Sequence, residues 1–183
     1  MKVEIGAPVD VAQRPQAERE AYALLERLQI SYERVEHPAA DTMELCEEAG
    51  AALGVALCKN LFLCNRQKTA FYLLLMPGDK PFRTKQLSAQ IGSARLSFAS
   101  PEDMERLLGV TPGSVSVLGL MNDADHEVRL LVDEDLLKDD YLGCHPCRNT
   151  ASLKLPAQAV WQDILRATGH ALTPVHLTGE DAV

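Results

Sequence analysis

Residues able to do chemistry cluster in a few short segments. Cys58-Lys59-Asn60 opens a hydrophobic run, Leu61-Phe62-Leu63. A lysine in such a run is unusual, because burying an unpaired charge is costly. It either lies at a strand edge with its ammonium in water, or it is a cation set at a cleft to bind phosphate or polarise an ester carbonyl. Gly109-Val110-Thr111-Pro112-Gly113-Ser114-Val115 holds a Pro-Gly turn. Gly113 would let backbone N–H groups approach a ligand closely, although an ordinary helix-to-strand loop has the same composition. Leu120-Met121-Asn122-Asp123 ends on a common turn signal.

The segment Gly143-Cys144-His145-Pro146-Cys147-Arg148-Asn149-Thr150 admits three readings. Cys144 and Cys147 have redox-pair spacing, without the strand-to-helix setting that a thioredoxin-like motif needs. Cys144, His145 and Cys147 could ligate zinc, but a structural site requires a fourth ligand, and no second Cys-x-x-Cys or spaced His pair supplies it. Alternatively this is a pocket loop in which His145 and Asn149 lend polar contacts. The chain has no Gly-x-Ser-x-Gly, Walker loop, dinucleotide fingerprint or His-Glu-x-x-His. A hydrolase built on it would position water with backbone donors, a lysine and the substrate itself.

The elements that carry these segments can be read from periodicity. Ala17, Ala21, Leu24, Leu25 and Leu28 have helical spacing between Pro15 and Ile30. Tyr32 to Val35 suits a short strand. Asp41 and Glu44 resemble a capping box opening a helix that ends near Gly50. Leu57 to Cys64 and Thr69 to Met76 read as a β-hairpin buried on both faces. A helix over about 84–91 and a strand over 95–98 follow. Ser100-Pro101-Glu102-Asp103 is a strong helix start, and Gly109 would end that helix. Strands are expected over 114–120 and 127–133, joined by the polar turn 122–126, and again near 141–144 and 150–155. A last helix spans 157–168 and stops at Gly169. Strands and helices mix without βαβ alternation. The expected class is therefore α+β, one domain over 1–183 with a mixed β-sheet flanked by helices.

The chain has 183 residues, 46% apolar and 24% charged, which excludes a disordered or fibrous protein. No apolar run is long enough to span a membrane, and the first 15 residues lack a signal-peptide layout, so a cytoplasmic protein is expected. Five cysteines at irregular spacing do not make a secreted disulfide framework. The formal net charge is −8, yet residues 57–100 hold seven Lys/Arg and only Asp79 as an acid. This basic stretch is either a solvated surface or a local phosphate-contact patch.

Taken together and in order, the segments resemble the YbaK-type prolyl-tRNA editing family, which includes the editing insertion domain of bacterial prolyl-tRNA synthetases. The resemblance runs over about 30–177. It is carried by Glu36-His37-Pro38 with Thr42, Lys59-Asn60-Leu61-Phe62-Leu63, Pro77-Gly78-Asp79-Lys80 and Arg95-Leu96-Ser97-Phe98-Ala99-Ser100-Pro101-Glu102-Asp103. It continues through Pro112-Gly113-Ser114-Val115, Gly119-Leu120-Met121-Asn122-Asp123, and His145-Pro146 with Asn149-Thr150.

The branch most similar is the freestanding alanyl-tRNA(Pro) deacylase. The resemblance implies a compact α+β fold and hydrolysis of an aminoacyl-tRNA ester without metal or cofactor. It implies that Lys59 engages the terminal nucleotide or the ester. Gly113, flanked by Pro112 and Ser114, would hold the carbonyl, and His145 would limit side-chain size and meet the amino group. Asn60, Asn122, Asp123, Asn149 and Thr150 would line or support the substrate. Arg66, Lys68, Lys80, Arg83, Lys85 and Arg95 become candidates for the tRNA acceptor stem. The implied partner is aminoacyl-tRNA, with prolyl-tRNA synthetase or an elongation factor as possible donors of substrate. A non-catalytic tRNA-binding or regulatory module, or an editor of Ser- or Cys-bearing tRNA, are the alternatives. Many relatives carry Gly-x-x-x-Pro in the glycine loop, whereas here Val117 follows Gly113 at that distance.

Overall fold

A computed structural model of the chain describes residues 1–178; the last five residues of the expected 1–183 domain lie outside the described residues. Two sheets are present rather than the single mixed sheet expected. The first is antiparallel, in the order β1 (Val3–Ile5), β2 (Glu33–Glu36), β8 (Ala151–Pro156), β7 (Tyr141–Cys144). The second is mixed, in the order β5 (Leu96–Phe98), β3 (Lys59–Asn65), β4 (Phe71–Met76), β6 (Val128–Asp133), β9 (Leu172–Val175). In it β3 pairs antiparallel with both β4 and β5, while β4–β6 and β6–β9 are parallel. The hairpin expected at 57–76 is β3–β4, and every residue of β4 is buried, as the unbroken apolar run requires of a central strand.

Side-chain alternation sends the two faces of β3 into different cores. Phe62 and Cys64 join Leu73, Leu130, Leu142, Leu153 and Leu155 in the core between the two sheets. Leu63 joins Leu74, Met76, Leu87 and Leu96 on the opposite face, with Leu61 at its margin. The helices α1 (Gln16–Arg27) and α4 (Pro101–Leu108) close the first core, and α3 (Thr84–Ile91) covers the second. As expected, Ser100 caps α4 through the Asp103 N–H, and Gly109 ends it in the left-handed conformation.

The helix α2 (Met43–Leu53) starts from Thr42 rather than Asp41, because the Thr42 hydroxyl accepts the Leu45 N–H. It passes through Gly50 and stops at Gly54, whose φ is 64°. A Cβ on Gly50 would lie 2.7 Å from the Val55 carbonyl oxygen, so this glycine permits a close backbone approach and is not a stop signal. The expected strand over 114–120 is instead a 3₁₀ helix at Val117–Asn122, capped by the Ser116 hydroxyl on the Leu118 N–H. Its apolar run is buried because the segment crosses the core, not because it joins a sheet. The last helix is continuous but changes register, with α5 (Ala157–Ala159), a π-helical turn at Val160–Ile164, and α6 (Leu165–Thr168).

Candidate active site

Three loops converge on one junction. The Ser114 hydroxyl accepts the Asn149 N–H at 3.1 Å, and the Asn149 side-chain amide donates to Asp41 at 3.2 Å. The Ala40 N–H bonds to the Asn149 carbonyl and the His37 N–H to the Thr150 carbonyl. Segments 37–41, 111–114 and 145–150 are thereby stitched together. Gly113 is exposed at this junction with φ of 83°, a conformation that strongly favours glycine. A Cβ added to it would stand 3.5 Å from the Asn149 amide nitrogen. Its N–H has no hydrogen-bond acceptor among the described residues, so the loop presents a donor. Pro112 is exposed beside it, whereas Ser114 is buried and spent on Asn149.

His145 is held from one side only. Its Nδ1 lies 2.7 Å from the Ala151 carbonyl oxygen. A carbonyl can only accept, so Nδ1 carries the hydrogen and Nε2 is left as an acceptor. Behind it stand Ser152 and His37. Ser152 Oγ is 3.4 Å from His145 Nδ1 and 2.9 Å from His37 Nε2, and His37 Nδ1 donates to the Pro38 carbonyl at 2.7 Å. The two imidazole rings meet edge to face with centroids 6.0 Å apart. His37 and Ser152, absent from the expected site, are thus the backing of His145. Glu36-His37-Pro38 was a weak signal for the first, and nothing local marks the second.

Burial pulls the His145 pKa below its ordinary 6.5, with the nearby His37 adding to the effect and the Ala151 carbonyl opposing it. The folded chain therefore binds this proton less readily than the unfolded chain. The stability associated with neutral His145 is complete above about pH 6.5 and declines as pH falls below it. Urea unfolding at pH 7.5 and pH 5 is expected to show a smaller loss of stability in His145→Gln than in the wild type; equal losses would contradict this environment for His145.

Lys59 stands where the two sheets touch. Leu57 bridges Gly143 in parallel, and the Cys58 N–H donates to the Gly143 carbonyl at 3.3 Å. Lys59 and His145 each lie two residues beyond that contact. Lys59 Nζ donates to the Lys80 carbonyl at 2.8 Å, which holds the half-buried ammonium at the Pro77–Lys80 turn. Asn60 points to the opposite face, where its amide donates to the Cys58 carbonyl at 3.1 Å. Its Oδ1 is buried without a hydrogen-bond partner among the described residues. Gly143 makes the seam possible. A Cβ there would lie 2.7 Å from Leu57 Cδ2 and 2.9 Å from the Ala56 carbonyl oxygen. Gly143→Ala is expected to cost about 1–3 kcal/mol of stability and to lower the deacylation rate even at temperatures where a thermal melt shows it folded; an unchanged rate would contradict a role for the seam in placing the site.

Other expected site residues lie elsewhere. Asn122 donates to the Leu108 carbonyl at 2.9 Å, packed against Gly109. Asp123 is buried, accepting from the Glu127 and Val128 N–H groups, both at 2.9 Å, and from His170 Nε2 at 2.8 Å. Neither joins the junction of loops, and both are occupied in holding the end of α4 and the start of β6.

The basic stretch also divides. Lys80 is bound by Asp133 and Asp135 at 2.7 and 2.8 Å, and Lys68 by Asp103 at 3.0 Å. Arg66, Lys85 and Arg95 are exposed and make no ion pair among the described residues, and Arg83 is exposed as well. Cys144 and Cys147 are buried free thiols, and burial pushes the Cys147 thiol up to about 12. Among the described residues no three His, Cys, Asp or Glu side chains are grouped to hold a metal. A cleft of about 570 Å³ lies beside the site, between α2 and the floor formed by Leu57, Tyr141 and Leu142, and reaches Cys58 but not Lys59 or His145.

The candidate site thus comprises the exposed Gly113 loop, His145 with Nε2 unengaged, and Lys59 at the seam of the two sheets of an α+β fold. The model of the aminoacyl-tRNA editing domain matches residues 37–161, and the chain belongs to that family, whose activity is hydrolysis of the aminoacyl-tRNA ester. It is 31% identical over 161 residues to the prolyl-tRNA editing protein ProX of Acetoanaerobium sticklandii, covering 88% of this chain and 98% of that protein. It is 30% identical over 175 residues to the prolyl-tRNA synthetase associated domain-containing protein 1 of Danio rerio, covering 94% and 89%. A crystal structure proposed to be a trans-editing enzyme for prolyl tRNA synthetase shares the fold, with a TM-score of 0.66 at 21% identity over 89% of this chain and 98% of that one. No helix among the described residues is long and apolar enough to cross a membrane.

Proposed function

We propose that this protein removes alanine from mischarged tRNA(Pro), acting in trans. Water adds to the ester carbonyl carbon, the bond to the ribose oxygen breaks, and that oxygen takes a proton. The products are free alanine and tRNA. The observation that carries the reading is the His145 arrangement: an imidazole with Nδ1 committed to Ala151 and Nε2 left as acceptor, at a junction where Gly113 presents an N–H. Nε2 receives a hydrogen of the substrate amino group. The Gly113 loop donates to the carbonyl oxygen as it gains charge. Lys59 provides the cation for the terminal nucleotide or the ester, and Asn60 supports the start of β3 through its bond to the Cys58 carbonyl. Arg66, Lys85 and Arg95 meet phosphates of the acceptor stem, while Lys68 and Lys80, already paired with carboxylates, contribute less.

Alanine is the substrate that most needs a second site. A synthetase pocket sized for proline cannot strongly reject a smaller residue, because missing methylenes are worth only about 1–3 kcal/mol. A pocket that admits alanine and excludes proline supplies the remaining discrimination. The prolyl-tRNA editing protein at 31% identity supports the prolyl system. The test is ester loss from Ala-tRNA(Pro), Pro-tRNA(Pro), Ser-tRNA and Cys-tRNA with purified protein. Rapid loss of the alanyl ester alone is expected. Equal rates on the alanyl and prolyl esters would remove the size-exclusion argument, and inertness toward all four would favour a non-catalytic tRNA-binding role.

A further inference from the structure

Phe98 is a large aromatic ring that the core leaves largely in solvent. It lies on β5, an edge strand, and is 65% exposed. Among the described residues its one ring contact is with Phe82, centroids 6.3 Å apart in a tilted arrangement. Register shows which surface it belongs to. Phe98 pairs with Leu63 across the antiparallel β3–β5 ladder, and Lys59 pairs with Met76 across β3–β4. Opposite residues share a face and alternate residues of one strand share a face. Lys59, Leu61, Leu63 and Phe98 therefore occupy the same side of the sheet, which is the side of the second core. The 80–82 segment borders it, with the Lys80 carbonyl on Lys59 at one end and Phe82 on Phe98 at the other.

Leu61 and Leu63 between them belong to the second core under α3, so Lys59 and Phe98 emerge at its two ends. Four residues of β-strand separate these ends, about 13 Å at ~3.3 Å per residue. A stacked strand advances about 3.4 Å per nucleotide, so the separation corresponds to roughly four nucleotides, the length of the unpaired 3′ end of a tRNA. Between α3 and the start of β5, the strand that carries Phe98, runs a groove lined by Lys85 and Arg95, both exposed and both without an ion pair among the described residues. An exposed aromatic ring with unneutralised cations is the combination by which proteins hold single-stranded nucleic acid without reading its sequence.

We propose that Phe98, backed by Phe82, is a stacking platform for an unpaired base of the tRNA 3′ end, with Lys85 and Arg95 on the neighbouring phosphates. It would set the path by which the terminal adenosine reaches Lys59. The occupant is a single-stranded polynucleotide end, and the inference rests on the tRNA reading given above.

The experiment compares an uncharged RNA minihelix bearing the four-nucleotide 3′ tail with the same minihelix made blunt. Affinities are measured for wild type, Phe98→Ala and Phe98→Trp, with deacylation followed on the same preparations. Thermal midpoints establish that each variant folds, which the exposure of Phe98 leads one to expect. Wild type should bind the tailed RNA about tenfold or more tightly than the blunt one. Phe98→Ala should lose most of that preference and raise KM with little change in kcat. Phe98→Trp should keep the preference, its added fluorescence quenched by the tail. An undiminished preference in Phe98→Ala, or none in the wild type, overturns the proposal. So does a Phe98→Ala variant that binds RNA normally but differs in sedimentation, since the exposed ring would then belong to an interface between copies. If wild type hydrolyses no ester yet prefers the tailed RNA through Phe98, the platform stands and the editing reading falls. Normal hydrolysis with Phe98→Ala unaffected gives the reverse.

Discussion

Lys59→Ala is expected to lower kcat/KM on Ala-tRNA(Pro) by about 10²–10³-fold, the range seen when one preorganised electrostatic donor is removed from a hydrolytic site. The lysine begins β3 at the seam between the sheets, two residues past the Leu57–Gly143 bridge, and its ammonium is held at 2.8 Å by the Lys80 carbonyl. That single bond fixes the cation without neutralising it, because a carbonyl carries no net charge. Deleting it should cost about 1 kcal/mol of stability, too little to unfold the protein, so activity and folding separate cleanly. Lys59→Arg should recover part of the rate, since charge returns but a planar fork replaces a point cation. Deacylation kinetics with thermal midpoints on both variants decide the matter. A Lys59→Ala enzyme within threefold of wild type would mean that the seam lysine is only a strand-edge cation.

Asp123→Ala should destabilise the protein by about 3–5 kcal/mol, because it leaves a buried partner and two backbone donors without their acceptor. One Oδ receives Glu127 N–H, the other receives Val128 N–H and His170 Nε2, all within 2.9 Å. These contacts tie the 3₁₀ helix, the start of β6 and the segment following α6 to one carboxylate. For a chain of this size the melting midpoint should fall on the order of 10 °C. The resemblance put Asp123 among substrate-binding residues, and the same variant separates the two roles. A midpoint within a degree or two of wild type together with lost deacylation would return Asp123 to the substrate; a large fall in midpoint assigns it to the fold.

Local chemistry accounts for what was legible in advance. The Ser100 cap, the Gly109 and Gly169 stops and the β3–β4 hairpin depend on interactions within a few residues. Each was readable from residue type and spacing. Lys59, Gly113 and His145 stood out for a related reason: a charge in an apolar run, a glycine after proline and a histidine between cysteines are local contrasts. Where local signals were ambiguous, packing decided. The apolar run after Ser114 is a 3₁₀ segment crossing the core, and Gly50 lies inside α2 because the Val55 carbonyl needs its missing Cβ. The strands β1 and β9 are too short to show periodicity and exist through their partners, β2 and β6.

The site itself divides in the same way. By itself the sequence determined the α+β class, the family and the three residues on which its chemistry is proposed to rest. Only the tertiary structure decided which residues support them. His37 reaches His145 through Ser152, 115 residues along the chain, and Asp41 reaches Asn149 across 108. It also separated Asn122 and Asp123 from the junction, and paired Lys80 and Lys68 with carboxylates that a linear count of charge cannot locate. Caps, turns and alternation act over a few residues and leave a pattern in the chain. Hydrogen bonds between distant loops and the neutralisation of a lysine by a remote aspartate depend on coordinates in space, which acquire values only when the two sheets pack.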